Sequence, residues 1–440
     1  MPFSKQSRVL VINPCVADFK LYDEWMHPAG LYLLLDILSR NNIETYYFDC
    51  LAGAICRAKR FGTGEFKSRE IEKPALYRHI KRKYKIYGVS GEELYETLNR
   101  FPPPDLILSG SSMTYWTPGV VDTLRTAARC FPNVPIIIGG IAAQLMPQYF
   151  KARIENSYIA GSLFSADTIR LIQRFLPEFS ATSEERCSFE GALPFLKGIR
   201  HGPVLLSLGC PMNCSYCASK ILQPCYRERP VETVFREVLS FHEKCGVEDF
   251  SFFDDALLYR PDKLLIPFLN EIKECGLKLR FHTPNGLHVK FADIKIFELM
   301  KESNFMTLRF GYESGNPRHS GETGNKAQIK KLAEAVSLCK EAGFTKKEIG
   351  VYMMGGLRDQ SPSELMDEMT QVGELGVKVK PVFLSPVPQT PLFEYYAGLF
   401  PRLRDDPLWQ NDSFFITNIE GWDWEVLEEI RRRARELNCD

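Results

Sequence analysis

Cys210, Cys214 and Cys217 form a C-x₃-C-x₂-C triplet inside LLSLGCPMNCSYCAS, residues 205–219. Thiolates are ligands for soft metals, and a [4Fe–4S] cluster is ordinarily held by four of them. Three leave one iron open. An open iron can take a substrate or cofactor, where a fully ligated cluster mainly transfers electrons. The competing chemistry is a zinc site, which needs four ligands, usually as paired C-x₂-C or C/H units. Cys225 would complete such a set, but the x₃/x₂ spacing is not that of a zinc knuckle. Cys225 therefore reads as an ordinary thiol.

A strand-like run at 204–208 leads directly into the cysteine loop, and an amphipathic helix is expected at 231–244. Five further strand candidates follow, at 249–253, 277–282, 307–311, 349–354 and 379–384, separated by helical segments such as 328–341. Upstream, strands are expected at 8–13, 44–48, 105–109 and 134–138, with helices at 30–41 and 120–130. The fold class is therefore α/β: an N-terminal Rossmann-like, doubly wound parallel sheet, then a partial (β/α)₆ TIM-type barrel, then a short C-terminal helical extension. The expected domains are 1–165, a connector at 166–198, the barrel at 199–395 and the extension at 396–440. In the extension the arginine run 431–433 reads as a solvated face of a helix at 424–437.

The triplet in this context resembles the hallmark of radical S-adenosylmethionine (SAM) enzymes. The resemblance implies that the open iron takes the amino and carboxylate groups of SAM, whose reductive cleavage gives methionine and a 5′-deoxyadenosyl radical. It also implies functional groups at the carboxyl ends of the barrel strands. Tyr216 takes the aromatic position that packs beside adenine. Asp254, in the FDD of the second strand, faces the cofactor or caps a helix, and Asp255 reads as a cap. In RFGYESG, Glu313 contacts SAM or is a buried partner of Arg309. In GVYMMGGLRD, Gly355 and Gly356 let backbone groups approach the adenosine. Gln389 replaces the glycine of a P-x-P-G-T-P-like segment. His282, Asn285 and His288 in FHTPNGLH lack metal-site spacing, and Asn285 is placed in the substrate cavity or against the cofactor.

Two N-terminal loops, SGSSMTYWTPG after Leu108 and GGIAAQLMP after Ile138, resemble those of cobalamin-binding domains. The resemblance implies that Ser111, Ser112, Gly139 and Gly140 border a cobalamin. The D-x-H-x-x-G signature is missing, and His27 reads as a residue at a helix entrance rather than a cobalt ligand. The function implied is radical SAM chemistry, as cobalamin-dependent methylation or rearrangement of an unreactive carbon. The alternatives are a cobalamin-free radical SAM enzyme with a degenerate N-terminal domain and a non-catalytic metal-binding module.

The chain has 440 residues, 45% hydrophobic content and zero formal net charge, so it suits two or three domains and gives no global reason to propose nucleic acid. No apolar run reaches the length of a membrane span, and the N-terminus lacks the shape of a signal peptide. Thirteen scattered cysteines do not make a secreted disulfide framework. A cytoplasmic enzyme is expected, with a small-molecule substrate and an external electron donor such as a flavodoxin or ferredoxin. Residues 57–85 carry eleven Lys/Arg against three Asp/Glu. That stretch reads as a solvated insertion, with an anionic partner as the alternative.

Overall fold

The computed structural model describes residues 6–181, 188–319, 321–324 and 328–439. Residues 1–5, and 182–187 within the expected connector, lie outside the described residues. The β-rich run RVLVIN makes β1, Arg8–Asn13, whose four central residues are buried. Beside it lie β2 (Glu44–Asp49), β3 (Leu106–Ser109), β4 (Ile136–Ile138) and β5 (Ser157–Ile159), all parallel, in the order β5-β4-β3-β1-β2. β5 is only three residues long, too short to stand out in the sequence. The order reverses at β1, so the crevice outside the carboxyl ends of β1 and β3 is the place where a doubly wound sheet receives a ligand.

The basic stretch belongs to an insertion between β1 and β3. Its strands form two three-stranded sheets, in which Lys85–Tyr87 pairs with Val16–Asp18 and Ser68–Glu70, and Gly64–Phe66 pairs with Tyr22–Asp23 and Ile55–Ala58. Ion pairs such as Lys59–Glu65 at 3.0 Å and Lys83–Glu70 at 2.7 Å offset part of its charge at the surface. Ala166–Gln173 is a helix, and Phe189–Phe195 packs on the helix Ala29–Arg40 so closely that Gly191 could carry no side chain against Asp36. Residues up to Arg200 therefore form the bulk of the first unit, together with Leu239–Val247.

The second unit contains six parallel strands in sequential order: β6 (Gly202–Val204), β7 (Asp249–Phe252), β8 (Arg280–His282), β9 (Phe305–Glu313), β10 (Ile349–Gly355) and β11 (Lys378–Phe383). The expected strand at 204–208 is two pieces. β6 ends at Val204, and Ser207–Leu208 pairs antiparallel with Arg227–Glu228. Helices start at local signals, as at Ser361, where a capping box with Glu364 and a proline at the first turn begin Pro362–Glu374.

The C-terminal extension completes this unit. β11 is an edge strand with unpaired backbone groups. Asn438, at the end of the helix Trp424–Asn438, meets that need: its Oδ1 accepts from Val379 N at 2.7 Å and its Nδ2 donates to Val379 O at 2.8 Å. The arginine run is not uniformly solvated. Arg431 lies 5.2 Å from the ring centroids of both Phe383 and Trp424, while Arg432 stays at the surface. No helix among the described residues is long and apolar enough to cross a membrane.

Candidate active site

The backbone entering the cysteine loop is gripped on both sides. Asp254, at the carboxyl end of β7, accepts from Leu206 N at 3.1 Å, Ser207 N at 2.7 Å and Ser207 Oγ at 2.7 Å. Arg229 donates to Leu205 O at 2.8 Å and forms a two-pronged pair with Glu237, at 2.6 and 3.1 Å, with both side chains buried. Removing one partner of such a pair strands a buried charge. Arg229 and Glu237 gave no sequence signal, because a charged residue near a loop ordinarily reads as surface.

The Asp254 carboxylate is thus engaged by the chain itself, holding the backbone that enters the cysteine loop. Burial outweighs its three donors and pushes its pKa up to about 6. A carboxyl that holds its proton more tightly folded than unfolded favours the fold below its unfolded pKa, and that contribution fades as pH rises through about 6. Relative to Asp254→Asn, wild-type stability should increase by about 1.4 kcal/mol on going from about pH 7 to about pH 5. Denaturant unfolding of both proteins at the two pH values measures this. An unchanged difference would contradict it.

Gly209, at φ +77°, makes the turn into the loop, and a Cβ there would lie 2.9 Å from the Cys225 carbonyl oxygen. Cys225 is exposed and meets the loop through its backbone. Within the loop, Met212 N donates to Cys210 Sγ at 3.4 Å, and Ser219 N lies 3.4 Å from Cys217 Sγ. N–H groups aimed at sulfur suit thiolates that carry charge. Burial raises the Cys210 thiol, and Asp255, Cys217 and Cys214 raise it further through their negative charge. Negative charge gathered around the Cys210 sulfur favours a cation beside it. Among the described residues no group of three His, Cys, Asp or Glu side chains is arranged to hold a single metal ion. Three cysteines on one loop suit a [4Fe–4S] cluster, whose ligands bind different irons. Asp255 hydrogen-bonds with Ser219, the first residue of the helix Ser219–Leu222.

Glu313 ends β9 in the left-handed region at φ +71°, buried, and its Oε1 accepts from Tyr216 Oη at 3.0 Å. A non-glycine residue held there costs on the order of 1–3 kcal/mol, and such strain concentrates at functional positions. The Arg309 guanidinium donates to the carbonyls of Leu308 and Glu348. Burial and the neighbouring Glu313 charge hold the Tyr216 hydroxyl well above its ordinary pKa, so it remains a donor. Asn285 donates to Phe253 O at 3.0 Å, tying the end of β8 to that of β7. His282 and His288 enter separate networks: His282 meets Asp249 and Thr307 at 3.1 Å each, while His288 caps the turn at Lys290.

Gly355 and Gly356 do not leave space for an adenosine on their Cα side. A Cβ on Gly355 would lie 2.9 Å from the Trp422 ring, and one on Gly356 2.6 Å from Ile416. Gln360 accepts from Gly356 N and Leu357 N, and Tyr396 Oη donates to Gly356 O at 2.8 Å. These glycines admit the C-terminal extension. Gln389 adopts φ +70°, in the left-handed region that favours glycine.

At the carboxyl edge of the first unit's sheet, Ser111 Oγ donates to Gly139 O at 2.7 Å and accepts from Ala143 N at 2.9 Å. Its hydroxyl therefore joins the two loops instead of facing outward. Gly140, at φ +91°, is required by Ser111, whose carbonyl oxygen would lie 2.2 Å from a Cβ. Ser112 and Gly140 are exposed, and so are two apolar side chains, Met113 (47%) and Ile141 (42%). His27 sits just before the helix Ala29–Arg40 with Nδ1 3.4 Å from Tyr32 Oη.

The model of the radical SAM superfamily matches residues 204–370. A cytidylyl-2-hydroxyethylphosphonate methyltransferase from Streptomyces wedmorensis is 31% identical over 505 residues, covering 99% of this chain and 90% of that protein. An uncharacterized methyltransferase from Pyrococcus horikoshii is 28% identical over 204 residues, 45% of this chain and 42% of that protein, so the match spans less than half of that relative. The radical SAM methyltransferase TsrM from Kitasatospora setae, solved with cobalamin and a [4Fe–4S] cluster, shares the fold, with a TM-score of 0.65 at 15% identity, over 90% of this chain and 79% of that one. The chain belongs to the radical SAM superfamily, in the class whose barrel follows a cobalamin-binding-type domain. It is a radical SAM enzyme of the methyltransferase family, and the class uses SAM and a [4Fe–4S] cluster.

Proposed function

We propose that the enzyme methylates an unreactive carbon of a small anionic substrate, with a nucleotidyl-linked phosphonate as the first candidate, using a [4Fe–4S] cluster, SAM and cobalamin. The observation that carries the radical half is the three-cysteine loop set at the carboxyl end of β6 and bonded through Tyr216 to Glu313. When bound, the cluster and SAM supply a 5′-deoxyadenosyl radical and methylcobalamin supplies the methyl group. Cys210, Cys214 and Cys217 hold the cluster. Tyr216 and Glu313 orient SAM, with Asn285 bracing the neighbouring strand ends. Ser112, Met113, Gly139, Gly140 and Ile141 border the corrin. The apolar exposure of that edge supports the cobalamin reading, and the relative from Streptomyces supports the substrate class. The electrons come from an external donor of the flavodoxin or ferredoxin kind.

Two experiments test this. Glu313→Gln removes a charged acceptor and should weaken SAM binding about tenfold, at unchanged iron content; normal affinity would make Glu313 purely structural. With methyl-labelled SAM, cobalamin and reductant, label should pass to cytidylyl-2-hydroxyethylphosphonate. Label found only in SAM and in the methionine released from it, in protein that cleaves SAM, would overturn the substrate class.

A further inference from the structure

We propose that the turn following β9 is a positioning strap for the cysteine loop, and that residue 324 is glycine because Cys214 lies against it. Three successive loop residues meet this segment. A Cβ on Gly324 would lie 2.9 Å from Cys214 Sγ. The Glu322 carbonyl accepts from Ser215 N at 2.9 Å and from Ser215 Oγ at 3.2 Å. Glu313 accepts from the hydroxyl of Tyr216 at 3.0 Å.

The strap has its own foundation. Thr323 is fully buried and donates through both N and Oγ1 to His319 O, at 2.9 and 3.0 Å. His319 spans Ser314 Oγ and Arg358 O, each at 2.9 Å, and Ser314 also donates to Glu368 at 3.1 Å. The same network therefore fixes the residue after Glu313 and the turn that carries Gly324. His288 Nε2, 3.4 Å from Gly324 O, meets the strap from β8. None of these residues ligates iron. They hold one sulfur and the SAM-facing carboxylate on a common support, so a displacement at Gly324 passes to the cluster. This rests on the triplet being the cluster site.

Gly324→Ala, reconstituted anaerobically, should lose iron to a chelator about tenfold faster than wild type, and the EPR spectrum of its reduced cluster should change. Gly321→Ala is the control within the same strap, since a Cβ there meets nothing within 4 Å. Gly246→Ala, at φ +69° in open space, controls for left-handed strain. Both should retain iron as wild type does. Should Gly324→Ala fail to fold, Thr323→Val loosens the strap without adding bulk near the sulfur and should shift both readouts in the same direction. Wild-type iron retention and EPR spectrum in the folded Gly324→Ala, or in Thr323→Val where it stands in, would overturn the strap alone. A wild-type protein that holds no cluster would overturn the cluster reading with it.

Discussion

Alanine at Cys210, Cys214 or Cys217 should abolish both cluster loading and reductive cleavage of SAM, while Cys225→Ala retains both. In the proposed cluster each thiolate would serve a different iron. Cys225 meets the loop through its carbonyl, beside Gly209, and that contact survives loss of its thiol. Iron and sulfide content, with 5′-deoxyadenosine formed per chain, report the result. A Cys225→Ala protein as empty as the other three would establish a four-cysteine site in place of an open iron.

The second large effect is expected at the edge of the first unit's sheet. Ile141 leaves 42% and Met113 47% of its surface exposed, side by side with the backbone of Gly139 and Gly140. Covering each by a planar corrin would stabilise the complex by roughly 0.6–1.4 kcal/mol, since a little under half of each side chain remains to be buried. Ile141→Asp forfeits that gain and adds a carboxylate to be desolvated, so cobalamin retention should fall by about a hundredfold or more. His27→Ala should leave retention intact, because that ring packs on Tyr32 at a helix entrance. Gly140 is the wrong place for the test: any side chain there would strike Ser111 and break the loop whether or not cobalamin binds. Equal cobalamin retention by wild type and Ile141→Asp, measured after anaerobic gel filtration, would remove cobalamin from this edge.

The sequence carried the chemistry where chemistry is written in spacing. The cysteine triplet, the six strand–helix units and the strand ahead of Glu313 are legible because metal ligation and β-periodicity constrain residue type at fixed intervals. Partner choice was not legible. Asp254, Gly355 and Gly356 stand at the expected strand ends, yet Asp254 holds Leu206 and Ser207, and the glycines make room for Trp422 and Ile416. Those partners lie as far as 67 residues away in sequence, from Gly355 to Trp422, and nothing local distinguishes a glycine that admits a ligand from one that admits a tryptophan. The Glu322–Gly324 strap was invisible for the same reason, and the Arg229–Glu237 pair because charged residues near a loop ordinarily read as surface. Asn438 covering Val379 is a further case: an asparagine at a chain end gives no sign that it closes a sheet edge.

The central claim joins two cofactors on one chain, and a single preparation tests it. Wild-type protein reconstituted without oxygen, with iron, sulfide and cobalamin supplied, is passed through gel filtration and then given SAM and a reductant. The account predicts roughly four irons and one cobalamin per chain, and 5′-deoxyadenosine formed only when the reductant is present. A protein that emerges with its cluster intact and cleaves SAM, but retains no cobalamin, would contradict it.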